Sequence, residues 1–275
     1  SKIKIDEIQT KAGDGSMIKI LYEDDAVLVA VKPAGLESQA SRKLEPDMVS
    51  EIKNYLLRSR RRKERQEGRG LSTTMSTNSS TQAQEPYVGV IHRLDKPVSG
   101  VMVYAKTKEA AAFLSKEVQA HRVTKIYHAV ICGKPVDNVG NFVDKLSMNR
   151  ENNYSRIVDN SDPEGKTAEL SYRVIGENKE KGLTLVEIHL KTGRHHQIRV
   201  QFAGHGLPLW GDAKYNPAVS MEGGKGPLAL AAVSLSFTHP VTKELVTFSM
   251  KPQGGAFRLF PAASCQPGES SAVSQ

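Results

Sequence analysis

The chain has 275 residues, 39% of them hydrophobic, enough for one sizeable core or two small ones, which excludes a mini-protein and a wholly disordered chain. Its 38 Lys and Arg against 30 Asp and Glu leave a formal charge of +8, which points to an acidic partner, nucleic acid above all. No run of about 18 apolar residues and no basic-then-apolar leader occurs, so neither a membrane span nor a secretory signal is expected. Cys132 and Cys265 are far apart and neither sits in a CxxC pair, so the cytosol or an organelle matrix is the expected compartment.

In chain order, residues 18–22 and 26–31 are apolar runs either side of Glu23-Asp24-Asp25, read as strand, acidic turn and strand, ending at Lys32-Pro33-Ala34-Gly35. A short helix is expected over 48–57, with Asp47 as N-cap and Ile52, Tyr55 and Leu56 on one side. Residues 58–69 then carry seven cations against Glu64 and Glu67, and 72–84 are polar and nearly uncharged. Such a stretch cannot offset its own ordering entropy, so 58–86 reads as a mobile insertion, its Arg run serving either phosphate contact or solvation and localisation. Beyond it, 87–91 and 101–105 are strand-like, with the polar loop 92–100 between them. Thr107 is expected to cap a helix through Ala120, with Ala110, Phe113, Leu114, Glu117 and Val118 along one flank. Residues 126–132 alternate as a strand, Tyr127 and Ala129 on one face and Ile126, His128 and Val130 on the other. Further strands are expected over 168–174, 183–190, 228–237 and 245–249. Many strands and few helices, in no repeating βαβ order, predict an α+β fold: a large mixed, mainly antiparallel sheet with flanking helices. The expected plan is a short extension (1–17), one domain (18–261) and a disordered tail (262–275).

Three stretches concentrate chemistry. In His92-Arg93-Leu94-Asp95-Lys96-Pro97-Val98-Ser99-Gly100 a carboxylate sits between two cations on a Gly- and Pro-bounded loop. Such neighbours suit a nucleophile or general base, although a surface loop with a local ion pair is the plainer explanation. Lys191-Thr192-Gly193-Arg194-His195-His196-Gln197-Ile198-Arg199-Val200 packs two Arg and two His into ten residues, with little room for an apolar face before Ile198. A metal reading of His195 and His196, with His205 as third ligand, lacks a carboxylate or Cys at a usual spacing, and no metal is expected. Tyr127 reads as a sheet tyrosine reaching a cleft edge, or as a packed core residue. GxxxxGK[ST], GxGxxG after a strand, HExxH and GxSxG are all lacking, which leaves a cofactor-free enzyme using one carboxylate, or a binder.

The blocks HRLDKPVSGVMVYAK, KIYHAVICG, KTGRHHQIRV and GLPLWGDAKY, with LYEDDAVLVAVKPAGL before them, occur in that order and together resemble the RluA-type pseudouridine synthases. The resemblance runs from Ile18 to about Lys251, interrupted at 58–86. The family usually has Thr or Ser where His195 stands, and often Arg and Thr where Lys96 and Val98 stand. An N-terminal RNA-binding module of the S4 type, present in some members, is not expected here. The resemblance implies a mixed-sheet domain in two halves around an RNA cleft, acting on a uridine in rRNA or tRNA without cofactor or metal, as a monomer. It implies Asp95 as the catalytic aspartate, Arg199 as its basic partner, and Tyr127 as the tyrosine that stacks on the uracil and is a candidate base. Arg93, with His92, is implied in base flipping, and Leu94, Arg194, His196 and Gln197 in substrate contact. A catalytically silent RNA-binding relative is the alternative. A glycoside-cleaving enzyme would usually need a second cooperating carboxylate.

Overall fold

The computed structural model describes residues 3–4, 18–40, 45–68, 85–218 and 226–261. Twelve strands form one mainly antiparallel sheet. They are β1 (Ile3–Lys4), β2 (Lys19–Glu23), β3 (Val27–Lys32), β4 (Gly89–Val90), β5 (Ser99–Ala105) and β6 (Thr124–Cys132), then β7 (Val139–Asn149), β8 (Tyr154–Val158), β9 (Lys166–Asn178), β10 (Leu183–Leu190), β11 (Leu230–Thr238) and β12 (Leu245–Ser249). The helices are α1 (Met48–Gly68), α2 (Lys108–Gln119) and α3 (Gln197–Gly204), with a 3-10 turn over Gly255–Leu259. The fold class read from the sequence therefore holds. The order across the sheet is β2-β3-β5-β11-β6-β10-β9-β7-β8, with β4 beside β5 and β12 beside β11 and β1.

Alternation explains the layers. In β3, Leu28 and Ala30 enter the main core on one face, while Val27 and Val29 enter a second core on the other, so this strand is buried on both sides. α2, capped by Thr107 accepting from the Ala110 amide, packs Ala110 and Leu114 into the second core. α1, capped by Asp47 accepting from the Val49 amide at 2.8 Å, packs Met48 and Ile52 into the main core. The outer half of the sheet buries only one face. Phe142, Leu170 and Tyr172 pack on Phe202 of α3, while Val139 and Val143 point outward and are exposed.

Three expectations change. α1 does not end near Leu57 but continues to Gly68, so residues 58–68 of the expected insertion are helical; 69–84 lie outside the described residues, as does the tail over 262–275. The strand expected over 87–91 shrinks to two paired residues. The stretch 191–200, read as a loop, opens α3 at Gln197, whose first six residues are all buried. A helix enclosed all round carries no amphipathic stripe, so periodicity could not announce it.

The sheet divides at β11. Its first half pairs with β5 in parallel, Ala231 with Ser99 and Ala232 with Gly100, and its second half pairs with β12. Its other edge runs along β6, with an irregularity between Ala232 and Ser234 directly beside Tyr127. Gly100, at φ +153°, makes the close approach possible: a Cβ there would meet Ala232 O at 2.6 Å and Ala232 N at 2.7 Å. This contact sets the loop before β5 against Tyr127. Gly100→Ala is expected to destabilise the fold by about 1–3 kcal/mol, as overpacking against backbone does; a urea midpoint equal to the parent's would show that the strands separate freely here.

Candidate active site

Four pieces of chain converge on the main-core face of the central strands. The loop between β4 and β5 brings Asp95, β6 brings Tyr127, α3 brings Arg199 with His196 at its N-cap, and the turn after α3 brings Asp212 and Tyr215. The guanidinium of Arg199, 6% exposed, is the hub. It donates through Nε to Asp212 Oδ2 and through Nη2 to Asp212 Oδ1, both at 2.8 Å, which leaves Nη1 turned to Asp95 Oδ2 at 3.4 Å. Its carbon also lies 5.1 Å from the centre of the Tyr215 ring.

Asp212 is 1% exposed and accepts additional bonds from the Lys214 and Tyr215 amides. Burial works against its charged form, but the Arg199 pairing and these amides outweigh it and hold the carboxyl below its ordinary value. Arg199, opposed by the same desolvation, is held above its own value by Asp212 and then Asp95. The fork geometry of the pair leaves the guanidinium little rotational freedom, so the position of Nη1 is set before any substrate arrives.

Asp95 has a second neighbour. His196 Nε2 lies 3.6 Å from Asp95 Oδ2. The proton on this ring can be placed by counting donors. The Ser155 amide donates to the Tyr215 hydroxyl at 2.9 Å, and His196 Nδ1 lies 2.8 Å from the same oxygen, so the arrangement that gives the hydroxyl hydrogen a partner has it donating to Nδ1. Nδ1 is then an acceptor, and the neutral imidazole carries its hydrogen on Nε2, toward Asp95. Burial, followed by the charge of Arg199, pushes His196 down to about 3, so the ring stays neutral at physiological pH. His195 lies against it, its ring tilted by 31° at 3.7 Å between ring centres, and binds Ser155 Oγ at 2.8 Å.

Beneath the Asp95 loop lies Lys32, fully buried, its ammonium donating to the carbonyls of Leu36 at 2.6 Å and of Pro33 and Lys96 at 3.1 Å. Burial lowers it to about 8, against the attraction of Glu37 and Asp95. Ser38 Oγ grips the next turn of the loop, donating to Leu94 O and accepting from Leu94 N. Tyr127 is 7% exposed, and burial, then the charge of Asp95, raises its phenol well above the ordinary value.

Of the residues expected at the site, Asp95, Arg199 and His196 meet directly, and Tyr127 lies within the electrostatic reach of Asp95. Arg93 is exposed on the Asp95 loop. His92 turns inward, its Nε2 accepting from the Val103 amide, and the Leu94 side chain belongs to the main core. Gln197 is consumed by the loop it stabilises, accepting from Thr192 Oγ1 and the Arg194 amide and donating to Glu169 O. Arg194 is exposed and donates to Thr167 O. His205 lies apart, stacked on Phe142 at 3.9 Å and bonded to Asp144. Among the described residues, no three His, Cys, Asp or Glu side chains are disposed to hold a metal ion. Sequence reasoning missed Asp212, Tyr215, Ser155 and Lys32. The blocks GLPLWGDAKY, holding Asp212 and Tyr215, and LYEDDAVLVAVKPAGL, holding Lys32, were legible, but nothing in their spacing pairs Asp212 with Arg199 or sets Lys32 under the Asp95 loop.

Comparison with known proteins gives the family. A family model for RNA pseudouridylate synthase matches residues 26–204. The chain belongs to that family. It is 32% identical over 268 residues to ribosomal large subunit pseudouridine synthase D of Xanthomonas campestris pv. campestris, covering 93% of this chain and 72% of the relative. It is 29% identical over 229 residues to the RNA pseudouridine synthase YhcT of Bacillus subtilis strain 168, covering 83% of this chain and 67% of that one. The chain spans 52% of the Pasteurella multocida synthase D and 64% of one from Neisseria meningitidis serogroup B. The human RNA pseudouridylate synthase domain containing 1 shares the fold, with TM-score 0.65 at 18% identity, covering 94% of this chain and 98% of that one. The human domain containing 4 does so with TM-score 0.63 at 21% identity, covering 89% and 90%.

Two measurements check this electrostatic arrangement. Long-range proton–nitrogen spectra are expected to place the His196 proton on Nε2 in the parent and to show mixed tautomers in Tyr215→Phe. Since His196 is lowered in the fold, the unfolded chain takes up the proton first as pH falls below about 6.5. Stability should therefore fall with acid by up to about 1.4 kcal/mol per pH unit from this residue. Urea midpoints at pH 7, 6 and 5 should decline less steeply for His196→Gln than for the parent, and parallel declines would contradict the assignment.

Proposed function

We propose that this pseudouridine synthase family member isomerises a uridine in structured RNA to pseudouridine, with Asp95 as the essential carboxylate. The observation that carries the reading is that carboxylate, faced by a guanidinium already fixed by another acid and by a neutral imidazole aimed at the same oxygen. A site that merely gripped phosphate would gain nothing from an anion among its cations. The names of the relatives make large-subunit rRNA the first substrate to try.

The reaction breaks the bond between uracil N1 and ribose C1′, joins C5 to the same carbon, moves a proton off C5 and returns one to N1. Atoms and electrons balance within the nucleotide, so no redox partner enters. Asp95 acts as nucleophile at the ribose or the ring, or as base toward a ribose proton. Arg199 Nη1 and His196 Nε2–H hold its charge in place throughout. Tyr127 provides the ring on which the uracil rests, and its raised phenol suits stacking better than proton abstraction at neutral pH. The uridine must leave its helix to reach Asp95, at a cost of a few kcal/mol, and exposed Arg93 on the same loop is placed to fill the vacated stack.

Asp95→Asn keeps the shape and removes the charge. The expected result is loss of tritium release from C5-labelled uridine in large-subunit rRNA, by at least about a thousandfold, with RNA affinity within a few-fold of the parent. If parent and variant bind RNA alike and neither releases tritium from any RNA tested, the silent-binder reading replaces this one.

A further inference from the structure

α1 is longer than its packing requires. Met48 and Ile52 anchor it in the main core, with Val49, Tyr55 and Leu56 packed against them, and no apolar residue follows Leu57 within the helix. Yet the helix runs on to Gly68, and its 21 residues extend about 30 Å. The projecting part carries Arg58, Arg60, Arg61, Arg62, Lys63 and Arg65 against two acids, Glu64, which pairs with Arg60, and Glu67. That is six positive charges less two, or +4 of the net +8 of the whole chain. Residues 60–66 are all exposed.

This arrangement repels itself. Arg61 and Arg65 stand four positions apart, a spacing at which like charges weaken a helix by about 0.2–0.5 kcal/mol. A helix serving only as a spacer would alternate signs. A bound polyanion would turn this repulsion into attraction. Five of the six cations are arginine, whose planar fork fits phosphate in a way that ammonium does not. The arm from Arg58 to Gln66 has no apolar side chain to enter a bilayer, so a lipid surface fits it poorly.

Its root ties it to the candidate site. The Met48 amide donates to Glu37 O, Lys96 Nζ meets Glu45 at 2.7 Å, and the Gly35 amide donates to Lys96 O, one residue from Asp95. We infer that the projecting half of α1 is an RNA-binding arm that grips the phosphate backbone outside the cleft, in fixed register with Asp95. The inference rests on the proposed RNA substrate but not on Asp95 being catalytic.

The test uses the full chain and an unmodified large-subunit rRNA transcript. Replacing Arg61, Lys63 and Arg65 by Gln should raise Kd about tenfold at low salt. It should also flatten the plot of log affinity against log salt by about 0.7–0.9 for each phosphate no longer neutralised. For turnover, KM should rise while kcat at saturating RNA stays within twofold. A companion variant with Arg61 and Arg65 replaced by Lys keeps the charge and should retain the parent's salt slope, which separates charge from helix integrity. Unchanged Kd and unchanged slope in the Gln variant would overturn the proposal. So would a loss of binding confined to phosphatidylserine vesicles with RNA affinity intact. If the parent isomerises no RNA while the Gln variant still loses affinity and slope, the catalytic reading fails and the arm stands.

Discussion

A guanidinium shut away from water needs acceptors, and the way those of Arg199 are arranged organises the centre of this protein. Two of its donors are consumed by Asp212, itself enclosed and held by two amides, and a third faces Asp95. Desolvating this pair is costly, and only the fork geometry and the amide bonds offset it. The result is a positive group that cannot swing away, beside a carboxylate whose side chain is 31% exposed. The site is thus built before it is used, the condition for electrostatic stabilisation without reorganisation during reaction.

The same logic extends outward through neutral groups. The Ser155 amide, on an outer strand, decides which way the Tyr215 hydroxyl points, and that hydroxyl decides which nitrogen of His196 carries a hydrogen. Beneath the loop, Lys32 spends all its hydrogen bonds on three carbonyls, so a buried charge serves as a fastener for the chain that presents Asp95. Glycine acts at one further point, where Gly100 lets two backbones touch and brings the Asp95 loop over Tyr127. A buried ion pair, a fixed tautomer and a close backbone contact each remove a different freedom from one carboxylate.

Against that fixed centre, α1 has the opposite character. Its buried turns are anchored by apolar side chains, and its outer turns are exposed and carry mostly positive charge. A fixed centre and a charged projecting helix would act at different ranges on a polyanion, because steering acts over distance whereas positioning must act at contact.

By itself the sequence determined whatever depends on near neighbours. Alternation along β6 put Tyr127 and Ala129 on one face, Thr107 and Asp47 marked two helix starts, and the resemblance carried by five motif blocks singled out Asp95 and Arg199, which the structure brings within 3.4 Å. Tertiary structure alone decided the rest. α3 carries no stripe because it is enclosed on every side, and α1 outlasts its apolar pattern. The pairing of Arg199 with Asp212 joins residues 13 apart through a turn that periodicity does not describe. The reach from Asp95 to Arg199 spans 104 positions, and that from Ser155 to Tyr215 spans 60. Hydrogen bonds between such distant groups depend on where the sheet and its turns place the chain, and burial, which lowers His196 and raises Tyr127, exists only once the core has closed around them.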